Sequence, residues 1–237
     1  MASAPWLSII IPTYNEAGQI GLLLRALQQL GATGSAAEII VVDGGSHDAT
    51  AAEATHAGGH VVRSPRKGRA AQLNYGAGRA RGAVLYFLHA DSYPPPTLLA
   101  DVRKAVTAGY GGGCYRLAFD DPHWFLRLNA WFTRFDWNWV RFGDQSLFVR
   151  REVFARAGGF DERLHLFEDQ EIIPRLRRQG RFVVLRAAVT TSARKYRTNG
   201  VYRLQAIFGL LCLLYRLGVS QRQLVRVYRR LIRPAKS

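Results

Sequence analysis

The apolar positions in the first half of the chain alternate between short runs and helical stripes. Leu7-Ser-Ile-Ile-Ile11 is a β-branched run closed by Pro12, after which Ile20, Leu23, Leu24, Leu27 and Leu30 recur at the steps of one helix face. Ile39 to Val42 is a second buried run. It is followed by Asp43-Gly-Gly45, a turn signal, and by Asp48, which the sequence predicts as the N-cap of a helix over 49–57. Val61-Val62 is a weak third strand, 68–80 reads as helix, and 83–88 as a fourth strand. Such alternation predicts an α/β fold with a mostly parallel sheet and helices on both faces, whose ligands bind outside the carboxyl ends of the strands.

The second half is less regular. Gly111-Gly-Gly113 precedes a strand-like run, Cys114 to Phe119. The stretch from His123 to Trp139 then carries Trp124, Phe125, Trp131, Phe132, Phe135, Trp137 and Trp139. Two readings fit that density, a buried aromatic helix and a platform for a sugar ring or an apolar acceptor. Gly76, Gly78 and Gly82 superficially resemble a dinucleotide fingerprint, but they precede a strand and the last gap is one residue too long, so that chemistry is excluded.

Composition changes the picture mainly through charge. The 237 residues are 48% apolar, enough for a real core, and carry a formal charge of +16. Residues 1–171 hold 17 basic and 17 acidic side chains, while 172–237 hold 16 basic ones and no carboxylate. That division predicts a domain over 1–198 and a basic amphipathic helical tail over 199–237. On a helical wheel Arg222, Arg226, Arg229, Arg230 and Arg233 gather opposite Leu224, Val227, Tyr228 and Leu231. A basic face of this kind suits an anionic membrane surface, and equally a helix packed on the domain with its arginines in water. The longest apolar run, Ala206 to Tyr215, is about half of what a membrane-spanning helix needs. Met1 to Trp6 has no basic segment and Leu7 to Ile11 is short for a leader core, so no signal peptide is expected there. Cys114 and Cys212 match no metal or redox spacing, and the expected compartment is reducing and cytoplasmic.

Candidate chemistry sits at the predicted strand ends. Pro12-Thr-Tyr-Asn-Glu16 follows the first strand and offers polar groups to a nucleoside, or simply a turn into the next helix. Asp43 ends the second strand, where its carboxylate can accept from a base or stabilise the turn. Lys67 and Arg69 flank a glycine and suit a phosphate or a solvated helix start. Leu88-His-Ala-Asp91 closes the fourth strand, and alternation predicts His89 and Asp91 on one side. One carboxylate is enough for a Mg²⁺ whose remaining ligands are diphosphate and water, although Asp91 can equally cap the turn before Pro94-Pro-Pro96. Glu168-Asp169 offers a general base for a hydroxyl, or merely an acidic helix start facing the macrodipole.

Taken in order, Ile9-Ile-Ile-Pro-Thr-Tyr-Asn-Glu16, Val41-Val-Asp-Gly-Gly-Ser-His-Asp-Ala-Thr50, Lys67-Gly-Arg-Ala-Ala-Gln-Leu-Asn74, Leu88-His-Ala-Asp91 and Glu168-Asp169 resemble a family-2 glycosyltransferase of the GT-A fold. The resemblance covers about residues 6–195. It is nearest to small bacterial members with the Leu-His-Ala-Asp, Gly143-Asp-Gln145 and Thr191-Ser-Ala-Arg194 segments. It implies inverting transfer of a sugar from a nucleotide-sugar donor to an acceptor hydroxyl, with Mg²⁺ or Mn²⁺ on the diphosphate. It further implies that Pro12, Tyr14, Glu16 and Asp43 line the nucleoside pocket with Lys67 or Arg69 nearby. Asp91 would hold the metal, Arg194 would steady the leaving diphosphate, Gly143, Asp144 and Gln145 would face the acceptor, and Asp169 would be the base. His89 stands where the family's metal motif usually has its first acid, and Tyr93 where a second acid would follow. The tail adds the expectation of a lipid or apolar acceptor and a peripheral place on the inner membrane face. A catalytically silent sugar-nucleotide-binding subunit and a basic nucleic-acid-binding protein are the competing readings, the second without a recognisable binding motif.

Overall fold

The computed structural model describes residues 4–137 and 143–233. Its first half follows the predicted alternation: β1 (Leu7–Thr13), α1 (Ile20–Gln29), β2 (Ala37–Asp43), α2 (Thr50–His56), β3 (His60–Arg63), α3 (Arg69–Arg79) and β4 (Val84–Phe87). β1 lies between β2 and β4 and is parallel to both, and β3 extends the parallel set beyond β2. Strand alternation splits β1 between two cores. Leu7, Ile9 and Ile11 pack with Leu23, Leu24 and Leu27 of α1 on one face. Ile10 packs with Ala70, Leu73 and Ala77 of α3 on the other. Of the three fingerprint-like glycines, two have packing reasons: a Cβ on Gly76 would lie 2.5 Å from Ile10 Cγ2, and one on Gly82 would lie 2.7 Å from the Leu7 and Ser8 backbone.

The second half brings β5 (Ser92–Tyr93), α4 (Leu98–Thr107), β6 (Gly112–Phe119), α5 (Trp124–Phe132), a 3₁₀ turn at Gly143–Gln145, β7 (Leu147–Arg150), α6 (Arg151–Arg156), α7 (Glu168–Gln179) and β8 (Phe182–Thr191). Among the described residues the strands form one sheet in the order β3-β2-β1-β4-β7-β6-β8-β5. Here the parallel pattern breaks, because β7 is antiparallel to both β4 and β6. The mixed sheet is the one the sequence could not order, since those pairings join segments about 60 and 40 residues apart with no hairpin between them.

Two local expectations need correction. Asp48 is not the N-cap of α2. Ala49 occupies that position, and Asp48 acts from one residue earlier by accepting from the Thr50 backbone N–H at 3.0 Å. The aromatic stretch is not a buried helix either: Leu126 is buried in α5, whereas Trp124 and Trp131 are 61% and 44% exposed. Trp139 lies outside the described residues. The first, apolar helix of the tail is present and unbroken. α8 (Arg194–Asn199) ends at Gly200, whose φ of 79° is easy only for glycine, and α9 (Val201–Arg216) starts anew.

α9 and the following α10 (Gln221–Leu231) share a third core. Leu204, Ile207, Leu211 and Leu224 meet there, joined by Leu166, Phe167 and Tyr196 from outside the tail. Gln221 Oε1 accepts from the His165 and Leu166 backbone, and Asn199 exchanges two hydrogen bonds with the Arg233 backbone. The tail is therefore docked, with Arg222, Arg226, Arg229, Arg230 and Arg233 exposed. No helix of the described residues is long and apolar enough to cross a membrane.

The tightest approach between strands gives a stability test. A Cβ on Gly113 in β6 would lie 2.4 Å from the Val183 carbonyl oxygen and 2.6 Å from the Phe148 ring. Gly113→Ala is expected to lower the unfolding free energy by about 1–3 kcal/mol, measured by urea titration. An unchanged midpoint would show that β6 and β8 can part without cost.

Candidate active site

The carboxyl ends of β1, β2 and β4 open on one edge of the sheet because the three strands run parallel and in register, Thr13 opposite Asp43 and Ile10 opposite Phe87. The loops after β1 and β2 are laced together. Asn15, at φ 54°, accepts from the His47 N–H and donates its own N–H to Ser46 Oγ, both at 3.0 Å. The Glu16 N–H donates to Thr50 Oγ1 at 2.8 Å. Gln72 of α3 ties the two strand ends from below, its amide donating to the Thr13 and Val42 carbonyls at 2.8 Å each.

On this frame Asp43 is nearly buried and accepts from the Gly45 and Ser46 N–H groups and from Ser46 Oγ. Pro12 is half-buried within β1, and Tyr14 is half exposed, edge-on to His47. Lys67 is exposed on the loop before α3.

A second group joins the first loop to α8. The Arg194 guanidinium donates to both oxygens of Glu16 at 2.6 and 2.7 Å and lies 3.2 Å from Asp91 Oδ2. The three side chains are each about four-fifths buried. Burial works against the Arg194 cation, but Glu16 and Asp91 outweigh it and push its pKa up. Beside them a cleft of about 260 Å³ is lined by Gln19, Asp91, Tyr93, Asp120, Arg194 and Arg197 among others.

The third group surrounds the start of α7. Phe167 takes a left-handed conformation, φ 70°, and turns the chain into Glu168, which is fully buried and ion-paired with Arg69 Nε. Asp169 Oδ2 lies 3.7 Å from the same guanidinium. Asp144 Oδ1, from the 3₁₀ turn, lies 3.5 Å from His89 Nδ1. The strand ends at Phe87, so alternation does not place His89 and Asp91 on one side. His89 instead lies against Asp144, and Asp91 against Arg194.

Electrostatics separate the acids and bases. Burial pushes the Asp169 carboxyl up to about 6, a shift reinforced by Glu168 and Asp144 and opposed by Arg69. Burial, together with the Arg69 charge, holds His89 down at about 3, so its ring is neutral near pH 7. A carboxylate poised near neutrality is suited to accept a proton from a hydroxyl.

The donor set around Asp91 fits a divalent cation that a substrate helps to hold. Asp91 supplies a hard oxygen ligand, and the neutral His89 two residues away does not repel a cation. Among the described residues no group of three or more His, Cys, Asp or Glu forms a protein-only cage.

The remaining predicted positions fall near these groups. Gly143 and Asp144 lie in the 3₁₀ turn beside His89, but Gln145 turns inward, its amide donating to the Tyr115 carbonyl at 3.0 Å within the core. Besides the meeting of Arg194 with Glu16 and Asp91, two partnerships escaped the sequence, Glu168 with Arg69 and Asp144 with His89. Each joins segments distant in the chain, so neither leaves a local signal in the sequence.

The family model for glycosyl transferase family 2 matches residues 8–160, well over half of the chain. The chain belongs to that family. Glycosyltransferase AglE of Haloferax volcanii is 34% identical over 99 residues, which is 39% of this chain and 33% of AglE, so the match spans about a third of the relative. Mannosyltransferase PcManGT from Pyrobaculum calidifontis, solved with GDP-Man and Mn²⁺, superposes with a TM-score of 0.72 at 19% identity, covering 91% of this chain and 64% of that one. Glucosyl-3-phosphoglycerate synthase from Mycobacterium tuberculosis, solved with Mn²⁺, UDP and product, reaches 0.59 at 19% identity over 91% of this chain and 81% of that one. The fold is accordingly GT-A, with a helical carboxyl-terminal region.

In this family-2 chain the carboxyl ¹³C resonance of Asp169 is expected to titrate with a midpoint of about 6. Glu168→Gln should move it down by removing a like charge and releasing Arg69 toward Asp169. A midpoint near 4 in the unaltered protein, the value of a solvated aspartate, would contradict the buried environment.

Proposed function

We propose that the chain is an inverting glycosyltransferase that moves a sugar from a nucleoside-diphosphate donor to an acceptor hydroxyl. The observation that carries this reading is the meeting of Glu16, Asp91 and Arg194 at the strand ends of a family-2 fold, with the raised carboxylate of Asp169 across His89 from them. PcManGT and the mycobacterial synthase were solved with nucleotide or nucleotide-sugar and Mn²⁺, which supports a donor of that class here.

Pro12, Tyr14, Glu16 and Asp43 line the nucleoside side, with Lys67 and Arg69 on the loop and helix start opposite. Asp91 is the metal ligand, with His89 beside it. When bound, the cation neutralises charge on the departing diphosphate. Arg194 does the same from the protein, and because that charge develops as the bond breaks, the interaction favours the transition state over the ground state. Asp169 accepts the acceptor's proton, and Arg69 keeps the neighbouring Glu168 paired so that one carboxylate of the two remains available. Gly143 and Asp144 form the acceptor side. Gln145 contributes there by fixing the turn through its bond to Tyr115. Single displacement with the base opposite the leaving group inverts the anomeric carbon.

The acceptor is lipid-linked or apolar, and the enzyme lies peripherally on the cytoplasmic face of the membrane. The five exposed arginines of 222–233 and the absence of any carboxylate after Glu171 support that placement by attraction to anionic headgroups.

Asp169→Asn should lower kcat by about 10²- to 10⁴-fold with little change in donor affinity, read from initial rates and donor titration. Retained turnover would place the base elsewhere. Chelation with EDTA should suppress transfer and Mn²⁺ should restore it, whereas full activity in chelator would remove the metal role from Asp91.

A further inference from the structure

α9 is apolar on two opposite faces. Leu204, Ile207 and Leu211 are buried against α10 and Phe167. At about 100° per residue the reverse face carries Tyr202, Ala206, Gly209, Leu210, Leu213 and Leu217, all exposed, with no charged side chain among them. Leu217 is 70% exposed, Tyr202 56% and Leu213 55%. Arg203 and Arg216 border this stripe and are themselves exposed. A soluble surface helix would show its polar face here.

The stripe does not end with α9. Tyr202 touches α5, its ring centroid 5.1 Å from Phe125 and 6.4 Å from Trp124. From Trp124 a second exposed stripe continues along α5 through Leu128 and Trp131 at helical spacing. Two helices distant in sequence thus present one continuous apolar edge with Trp and Tyr at their junction and arginines at its border.

We infer that this α5–α9 edge inserts into the acyl boundary of an anionic bilayer, with α9 lying in the membrane plane. The charge decides for lipid over a protein partner. Residues 199–237, which include α9 and α10, carry eight basic side chains and no acidic one, so the surroundings of the stripe on that side are complementary to an anionic surface. Interfacial helices combine a buried apolar face, aromatic residues at the headgroup level and basic flanks. At 16 residues α9 is too short to span a bilayer but long enough to lie on one. The inference deepens the proposed peripheral placement and rests on it. That placement needs only the arginines of α10, while insertion adds an apolar component and fixes which edge of the enzyme faces the membrane.

The test uses the full chain and vesicles of equimolar phosphatidylglycerol and phosphatidylcholine, with and without brominated acyl chains. Insertion predicts quenching of tryptophan fluorescence by the brominated lipid, reduced in a Trp124→Phe/Trp131→Phe variant. It also predicts measurable binding at about 1 M salt, where screening shrinks to about 3 Å. Leu213→Glu/Leu217→Glu should weaken vesicle binding by at least about tenfold, because each leucine removed from water contributes more than a decade. Both positions are exposed, and unchanged far-UV circular dichroism would show the variant folded.

Binding that vanishes with salt and with Arg226→Glu/Arg230→Glu, yet ignores the leucine changes and shows no quenching, would overturn insertion and leave peripheral attachment standing. Failure to bind these vesicles at all would overturn both. Lipid-free self-association abolished by Leu213→Glu/Leu217→Glu, without quenching, would make the edge an interface between copies and overturn insertion.

Discussion

Everything at the candidate site depends on β1 being gripped from both sides in register. Its apolar side chains alternate between two cores, so a slip of one residue would send Ile10 to the α1 side and Ile9 and Ile11 to the α3 side. That constraint aligns the ends of β1, β2 and β4, and the alignment brings Glu16, Asp43 and Asp91 to one edge. Gln72 reinforces it by donating to the carbonyls of both strand ends, Thr13 and Val42.

Charged groups from far down the chain then complete the edge. Arg194 is 178 residues from Glu16, and Arg69 is 99 residues from Glu168. Both arginines are shared between two carboxylates, so removing either would leave more than one acid uncompensated. The arrangement divides the labour. Glu16 and Asp91 are held by Arg194, while Glu168 and Asp169 share Arg69, and burial, only partly offset by that arginine, leaves Asp169 with its raised affinity for a proton. Half of the surplus positive charge lies elsewhere, on the docked tail, whose residues 199–237 hold eight basic side chains and no acidic one.

Much of this was legible from the sequence. β1 to β4 and their helices follow from local periodicity, and the site residues at the strand ends follow from their position after apolar runs. The reversal at β7 was not legible, because antiparallel pairing across unconnected segments leaves no local signal. The direction of His89 was misjudged for a related reason: the apolar run continues to Leu88, but strand pairing stops at Phe87, so alternation lost its meaning two residues early. The exposure of Trp124 and Trp131 was hidden as well, since composition records hydrophobicity but not which face the fold covers. Gln145 shows the converse, a polar residue that looks ready for a substrate but satisfies a carbonyl inside the core.

The central claim is that the edge built by Glu16, Asp43, Asp91 and Arg194 receives a nucleotide-sugar. The most direct measurement is a thermal-shift titration of the full chain with UDP-, GDP- and dTDP-sugars in the presence of Mn²⁺. A ligand at about 100 times its dissociation constant should stabilise the native state by about 2.7 kcal/mol, raising the melting temperature with at least one donor and much less in Asp91→Asn. No shift with any donor, or an equal shift in Asp91→Asn, would contradict the assignment of that edge.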